Sequence, residues 1–265
     1  MSELNPVTPA GATLTDADGV LAPAGAPARR PSDANWSQPV DRLALGHVPA
    51  EAVNLNVTGR RLSGPLQGFG QLWQKTYRIR LDGTTVSAEE VVAVWKREFG
   101  SFWPKGARFY APFAEIAPGE VGLINQDVGG RQVLSTGVLV IYADDVSFTF
   151  MTPEGHVFAA MITFSTDRDE GVTSAQVQAL VRASDPFYEV MLMGGGHNRE
   201  NVHWQATLTN LAARFGAQGT PTVTQVCIDR GRQWRHASNI RHNAAIRSGI
   251  WSMTHPLRVF RRPKG

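Results

Sequence analysis

Between Phe109 and Ser184 the sequence carries a series of short apolar segments separated by turn residues, and this series constrains the fold more than any other feature. Six segments are predicted to be strands, at 109–116, 120–128, 133–143, 146–152, 156–166 and 172–183. The predicted turns are Gly129-Gly130, Asp144-Asp145, Pro153-Glu154-Gly155 and a charged loop at 167–171. Connections this short join neighbouring antiparallel strands, so the pattern predicts an antiparallel sheet.

One strand and one helix are predicted to precede this series. From Gln71 apolar and polar side chains alternate, which predicts a half-buried strand. Its apolar face is formed by Trp73, Tyr77, Ile79 and Leu81. Ser87 and Glu90 form a capping box that starts a helix, and Gly100 ends this helix or breaks it into a second short one.

A second, longer helix is predicted at 199–215, after the strands. Asn198 is its predicted N-cap and Gly216 its end. Its apolar stripe consists of Trp204, Leu208, Leu211 and Phe215. The sequence beyond it predicts a strand at 222–228 and an irregular helix at 232–251.

The two ends of the chain differ from its middle in composition. Residues 1–50 contain seven of the sixteen prolines and one aromatic residue, so we expect residues 1–52 to form a flexible arm. The last 38 residues carry nine Lys/Arg and one acidic residue, Asp229, while the rest of the chain has a net charge near −5. We therefore expect residues 218–265 to form a basic extension that docks on the acidic domain at 53–217.

Composition also excludes several classes of protein. Of the 265 residues, 42% are hydrophobic and 18% charged, which is typical of a globular chain. The single cysteine, Cys227, can form neither an internal disulfide nor a thiolate zinc cluster. No apolar run approaches the roughly 18 residues of a membrane span, and a signal peptide is not evident. We therefore expect a cytoplasmic protein.

The predicted order of elements resembles the helix-grip fold of the START, pollen-allergen and polyketide-cyclase superfamily (SRPBCC), over about residues 71–216. Five strings are similar to a bacterial branch of that superfamily: Trp73–Tyr77, Phe102–Gly106, Tyr142–Asp145, Thr152–His156 and Arg182–Pro186. The resemblance implies an α+β fold in which a curved antiparallel sheet of about six to seven strands grips the long helix. It also implies a cavity between them that takes an apolar ligand in many members. The basic extension could cover the mouth of that cavity or fill it.

Aromatic side chains on the predicted inner faces are the candidate ligand contacts, together with one arginine. The candidates are Trp95, Phe99, Phe148, Phe150, Phe158, Phe164, Arg182 and Trp204. Alternation identifies a face of a strand and not an empty space, so ordinary core packing is the alternative for each aromatic residue. For Arg182 the alternatives are a bidentate contact to a ligand carboxylate and a structural ion pair with Asp185.

A few other residues could take part in chemistry. His156 and His197 are candidate acid–base groups, with a surface or capping role as the alternative. Gly194-Gly195-Gly196 before the long helix is a candidate anion-binding loop, with a flexible entry to the helix as the alternative. The histidines follow no metal-binding spacing, so neither a metal nor another cofactor is predicted.

The leading hypothesis is binding of a small hydrophobic or amphipathic molecule. The alternatives are a cyclase- or aldolase-like enzyme that uses Arg182, His156 or His197, and binding of a partner or nucleic acid through the basic extension. Arginines interleaved with Trp234 and Trp251 suit nucleic acid or a membrane surface, but docking on the acidic domain is favoured over nucleic-acid binding. Whether the protein is an enzyme stays open.

Overall fold

The computed structural model describes residues 32–111, 115–128 and 131–254, which build an eight-stranded antiparallel sheet. The strands are β1 (Leu72–Arg80), β2 (Ala107–Tyr110), β3 (Val121–Val128), β4 (Arg131–Ala143), β5 (Ser147–Met151), β6 (Phe158–Asp169), β7 (Val172–Ala183) and β8 (Thr222–Asp229). Their order across the sheet is β2-β3-β4-β5-β6-β7-β1-β8. The α-helices are α1 (Ala88–Glu98), α2 (Pro186–Met191), α3 (His197–Arg214) and α4 (Ala244–Thr254). Short 3-10 helices lie at Asp33–Asn35, Pro65–Gln67, Phe99–Phe102 and Trp234–His242.

The order of these elements confirms the α+β helix-grip fold. β1 is followed by α1 and the 3-10 helix Phe99–Phe102, then by β2 to β7, and then by the long helix α3. The sheet has eight strands, one more than expected, because β8 pairs with β1 and extends the sheet at that edge.

A local sequence signal explains where α1 begins. The Ser87 hydroxyl accepts a hydrogen bond from the backbone N–H of Glu90 at 3.1 Å, which caps α1 as predicted. Val91 and Trp95 lie on the buried side of this helix, facing the sheet.

Some predicted elements differ from the structure. The strand predicted at 109–116 corresponds to β2, which ends at Tyr110, and residues 112–114 lie outside the described residues. The predicted Gly129-Gly130 turn also lies outside them. α3 begins at His197, and α2 with an irregular turn at Leu192–Gly196 leads into it. No prediction was made for α2, because six residues are too few to show a helical period.

The outer face of β3 and β4 is covered by an early segment of the chain. Leu43 and Val57 are buried against Val121, Leu123 and Leu139. Within the arm predicted at 1–52, Leu43, Leu45 and Ala52 therefore pack against the sheet, while most residues of 36–52 are exposed. Averaging composition over fifty residues hid Leu43, which is only 2% exposed. Residues 1–31 lie outside the described residues.

The segment after α3 also lies against the sheet, from β8 to α4. The Asn56 side chain donates to the backbone oxygen of Ser135 on β4 at 2.8 Å and lies 3.3 Å from the Ser248 hydroxyl of α4. Asn243, just before α4, donates to the Asp185 carboxylate at 2.8 Å. These contacts place α4 on the outer face and leave the inner face to α1 and α3. Residues 255–265 lie outside the described residues.

Candidate functional site

Six of the predicted ligand-contacting aromatic residues form one buried cluster on the inner face of the sheet. α1 and the 3-10 helix after it supply two, β5 two, β6 one and α3 one: Trp95, Phe99, Phe148, Phe150, Phe164 and Trp204. Phe164 lies at the centre, with ring centroids 4.7 Å from Phe148, 5.1 Å from Phe99 and 5.5 Å from Trp204. Phe158 lies at the beginning of β6 and is half-buried at one end of this cluster.

Two indole N–H groups within this interior have no acceptor among the described residues. They belong to Trp95, which is fully buried, and to Trp103, whose ring contacts Phe99 and His203. A buried donor without a partner costs about 1–3 kcal/mol relative to a paired one. The apolar interior therefore contains two donors that an acceptor atom would stabilise.

A charged cluster occupies the inner face at its β1 edge. The Lys75 ammonium donates to the Glu200 carboxylate at 2.6 Å and to His197 Nδ1 at 3.0 Å. The Lys75 side chain is 0% exposed and that of Glu200 is 7% exposed. His197 Nδ1 also lies 3.9 Å from the Glu200 carboxylate, so the three side chains form one cluster.

Sheet register places this charge beside the aromatic cluster. Lys75 pairs with Ala179 of β7, which pairs with Ile162 of β6, which pairs with Phe150 of β5. One row of inner-face side chains therefore has the Phe150 ring on β5 and the Lys75 ammonium on β1. The next row on β1 holds Trp73, which is half-buried and whose ring lies 5.7 Å from that of His197.

The Glu200 charge affects several neighbouring ionisable groups. Burial raises the pKa of Tyr77, and the Glu200 carboxylate raises it further. The Tyr77 hydroxyl donates to Asn201 at 2.8 Å. Burial lowers the pKa of His156 and of His203 to about 4 in each case. The backbone of Phe158 and then the Glu200 charge oppose this effect at His156, and the Glu200 charge opposes it at His203. Both imidazoles are therefore neutral at pH 7.

Arg182 lies elsewhere, and this corrects its grouping with the aromatic residues. It falls between the positions of the inward-facing series Val177, Ala179 and Val181 of β7 and so projects from the outer face. Its guanidinium donates to the Asp229 carboxylate and to the backbone oxygens of Gly70 and Gly231. The Arg182 guanidinium lowers the pKa of Asp229. Arg182 therefore joins β8 to β7 across β1, and an enzyme site containing Arg182 together with His197 does not form.

Asp185, Cys227 and the glycine run have other surroundings. Asp185 does not pair with Arg182: its carboxylate caps α2 by accepting from the backbone N–H of Tyr188 at 3.0 Å. Cys227 pairs in register with Trp73 and is a free, partly exposed thiol. Gly194 and Gly195 have non-helical torsion angles, and Gly195 has a φ of 110°.

Sequence reasoning missed Lys75 although a signal was present. Its position in the alternation places it on the same face as Trp73 and Tyr77. A lysine on an apolar strand face needs a buried counter-ion, and Glu200 is the residue that continues the Trp204–Leu208 stripe one turn toward the N-terminus of α3. The sequence therefore indicated that Lys75 has a buried acidic partner, whereas its pairing with Glu200 is established by the fold.

Other features of the described chain lie away from this cluster. A cavity of about 350 Å³ opens between the 53–55 segment and α4, lined by Leu55, Arg247, Ile250 and Trp251. Within 32–111, 115–128 and 131–254 no group of three or more His, Cys, Asp or Glu side chains is placed to hold a metal ion. No helix in these ranges has the length and hydropathy needed to cross a bilayer.

No family model and no curated protein matches the chain. Solved structures that are similar to part of it include protein Ms6760 from Mycobacterium smegmatis, with 10% identity, 55% of this chain and 91% of that chain covered, and a TM-score of 0.40. Ara h 8.0201 has 10% identity, 54% and 97% coverage and a TM-score of 0.40. Major latex-like protein 151 from Panax ginseng has 8% identity, 55% and 99% coverage and a TM-score of 0.35. The strand order and helix positions of the chain itself define its fold as helix-grip.

Proposed function

We propose that the protein binds a small amphipathic molecule between the sheet and α3. The apolar part of this molecule lies against Trp73 and Phe158, and its polar group meets the cluster of Lys75, Glu200 and His197. The ligand therefore has one apolar and one polar or anionic end.

The observation that carries this proposal is the position of a buried ammonium at the border of an aromatic interior. A buried ion pair is costly to desolvate, and two apolar residues of similar volume stabilise a fold as well or better. Lys75 and Glu200 are therefore poorly explained by stability alone. A site that must orient a polar group against an apolar wall needs such a charge.

Two further features support the location. Trp73, Phe158 and His197 are half-buried, so a molecule in solvent can reach this end of the interior, whereas the rings around Phe164 are packed against one another. The unpaired indole N–H group of Trp103, a half-buried residue beside His203, is a donor available to an acceptor on a ligand.

Native mass spectrometry of freshly purified protein, compared with its denatured mass, tests the proposal directly. The anionic probe 8-anilino-1-naphthalenesulfonate tests the site: we expect saturable binding that Lys75→Met weakens at least about tenfold, since one charged hydrogen bond is worth about 1.5–3 kcal/mol. Because Lys75→Met leaves the Glu200 carboxylate buried and unpaired, the double variant Lys75→Met/Glu200→Leu is the version expected to remain folded.

Arg80→Met is the matched control, because Arg80 lies on the same strand and points to the opposite, exposed face. The proposal predicts unchanged probe affinity for this control. Equal probe affinity of the wild-type protein and a folded double variant, together with a mass free of adducts, contradicts the proposal.

A further inference from the structure

α2 and the turn after it present apolar side chains on the solvent side as well as on the buried side. Tyr188 and Leu192 are buried against the domain. On the other side Val190 is 71% exposed and Met193 is 69% exposed. The exposed apolar residues of this segment, here called the α2 surface, are Phe187, Val190, Met191 and Met193.

A helix exposed to water normally carries polar residues on its outer side, and a helix that is apolar all round is normally covered. The only charged residue of α2, Glu189, is 6% exposed and accepts a hydrogen bond from Arg232 at 3.0 Å. The same arginine contacts the Met193 sulfur at 3.5 Å, so the 230–235 segment adjoins the α2 surface. Two residues further on, the Trp234 side chain is 73% exposed.

The charges around the α2 surface have one sign. Every acidic side chain at 185–203 and 229–241 is buried or paired: Asp185 and Glu189 as described, Glu200 with Lys75, and Asp229 with Arg182. The exposed charged residues of these two segments, apart from Arg232, are Arg199, Arg230, Arg235 and Arg241. The exposed charged side chains of these two segments are therefore all basic, and one of them, Arg232, contacts the α2 surface directly.

We propose that the α2 surface docks on an anionic lipid bilayer. Methionine, valine, phenylalanine and tryptophan side chains enter the interfacial region, while the arginines meet acidic headgroups. A second copy of this chain fits less well, because its α2 surface has the same basic residues beside it, and two surfaces of like charge repel each other. The contact depends on this surface alone and does not require the ligand of the proposed function.

Flotation with lipid vesicles tests this contact. We expect at least about tenfold more protein bound to vesicles that contain phosphatidylserine than to phosphatidylcholine vesicles, and less binding as salt screens the charges. The variant Val190→Glu/Met193→Glu should lose this binding. The control Val226→Glu/Ile228→Glu changes two residues of β8 that are each 52% exposed, and it should retain it.

The outcomes separate this contact from ligand binding. Val190→Glu/Met193→Glu should keep the naphthalenesulfonate site, and Lys75→Met/Glu200→Leu should keep vesicle binding. Equal binding to both kinds of vesicle, or equal binding by both glutamate variants, overturns the proposal. A wild-type dimer in sedimentation velocity that Val190→Glu/Met193→Glu dissociates also overturns it and identifies the α2 surface as an interface between copies.

Discussion

At the scale of single residues, His156 and His203 are two neutral imidazoles near one carboxylate, that of Glu200. His156 lies two residues before β6, and its Nδ1 accepts from the backbone N–H of Phe158 at 3.0 Å. His203 lies on α3 between the rings of Trp103 and Trp204. Burial lowers the pKa of each ring from 6.5 to about 4. The folded protein therefore resists protonation that the unfolded chain accepts.

This difference predicts a loss of stability in acid. Between the unfolded pKa of 6.5 and the folded pKa of about 4, the unfolded chain binds more protons, so the free energy of unfolding falls as pH falls through this window. Each histidine should contribute about 1–2 kcal/mol of that loss between about pH 7 and about pH 5. Urea denaturation at the two pH values measures it.

His156→Gln and His203→Gln should each reduce this pH dependence, because glutamine does not titrate. His47→Gln is the control, since His47 is exposed. An unchanged slope in both variants would show that these two imidazoles titrate alike in the folded and unfolded states.

At the scale of elements, the junction between α2 and α3 determines how the long helix meets the sheet. Gly195 has a φ of 110°, a left-handed conformation that costs other residues about 1–2 kcal/mol. Gly194 has a φ of −77°, and a Cβ at either position would meet open space. The kink therefore requires glycine at position 195 because of its backbone conformation. Neither position requires glycine for lack of room around a Cβ atom.

We expect Gly195→Ala to lower the free energy of unfolding by about 1–2 kcal/mol. Gly194→Ala should be neutral or slightly stabilising, because its backbone conformation suits alanine and the unfolded chain loses freedom. Thermal and urea denaturation of Gly195→Ala and Gly194→Ala measure these two changes in the free energy of unfolding. Equal values for both variants would contradict a left-handed Gly195.

The long helix also shows what sequence can and cannot predict here. Its apolar stripe at Trp204, Leu208 and Leu211 follows the helical period, and all three residues are buried as expected. His197 was predicted only as a candidate acid–base group and Glu200 was not predicted, because each residue is ordinary on an exposed helix and becomes informative only opposite Lys75. Pairing between positions 125 residues apart is a property of the fold and is not visible in local periodicity.

At the scale of the whole molecule, the segment from β8 to α4 connects parts of the domain that are distant along the chain. β8 pairs with β1, while α4 contacts Asn56 and Ser135 on the outer face. Net charge predicted that a basic segment docks on an acidic domain. Two ion pairs, Arg182 with Asp229 and Arg232 with Glu189, help to hold this segment, together with side-chain hydrogen bonds of Asn239 and Ser248. In the first pair the acidic residue belongs to the extension and the basic residue to the domain, so net charge alone cannot identify the pairing.

Asn243 connects the beginning of α4 to the beginning of α2. It is 0% exposed, donates to Asp185 at 2.8 Å and accepts from the backbone N–H of Ile246 at 2.9 Å, so it caps α4 and joins it to the N-cap residue of α2. Asn243→Ala should lower the free energy of unfolding by about 2–4 kcal/mol, from the lost cap and from the buried Asp185 oxygen that loses its donor. Hydrogen exchange should accelerate in α4 while β5 stays protected. Ser238→Ala changes an exposed residue of the same segment and is the control. A loss of protection spread equally over α4 and β5 would show that α4 unfolds only together with the sheet.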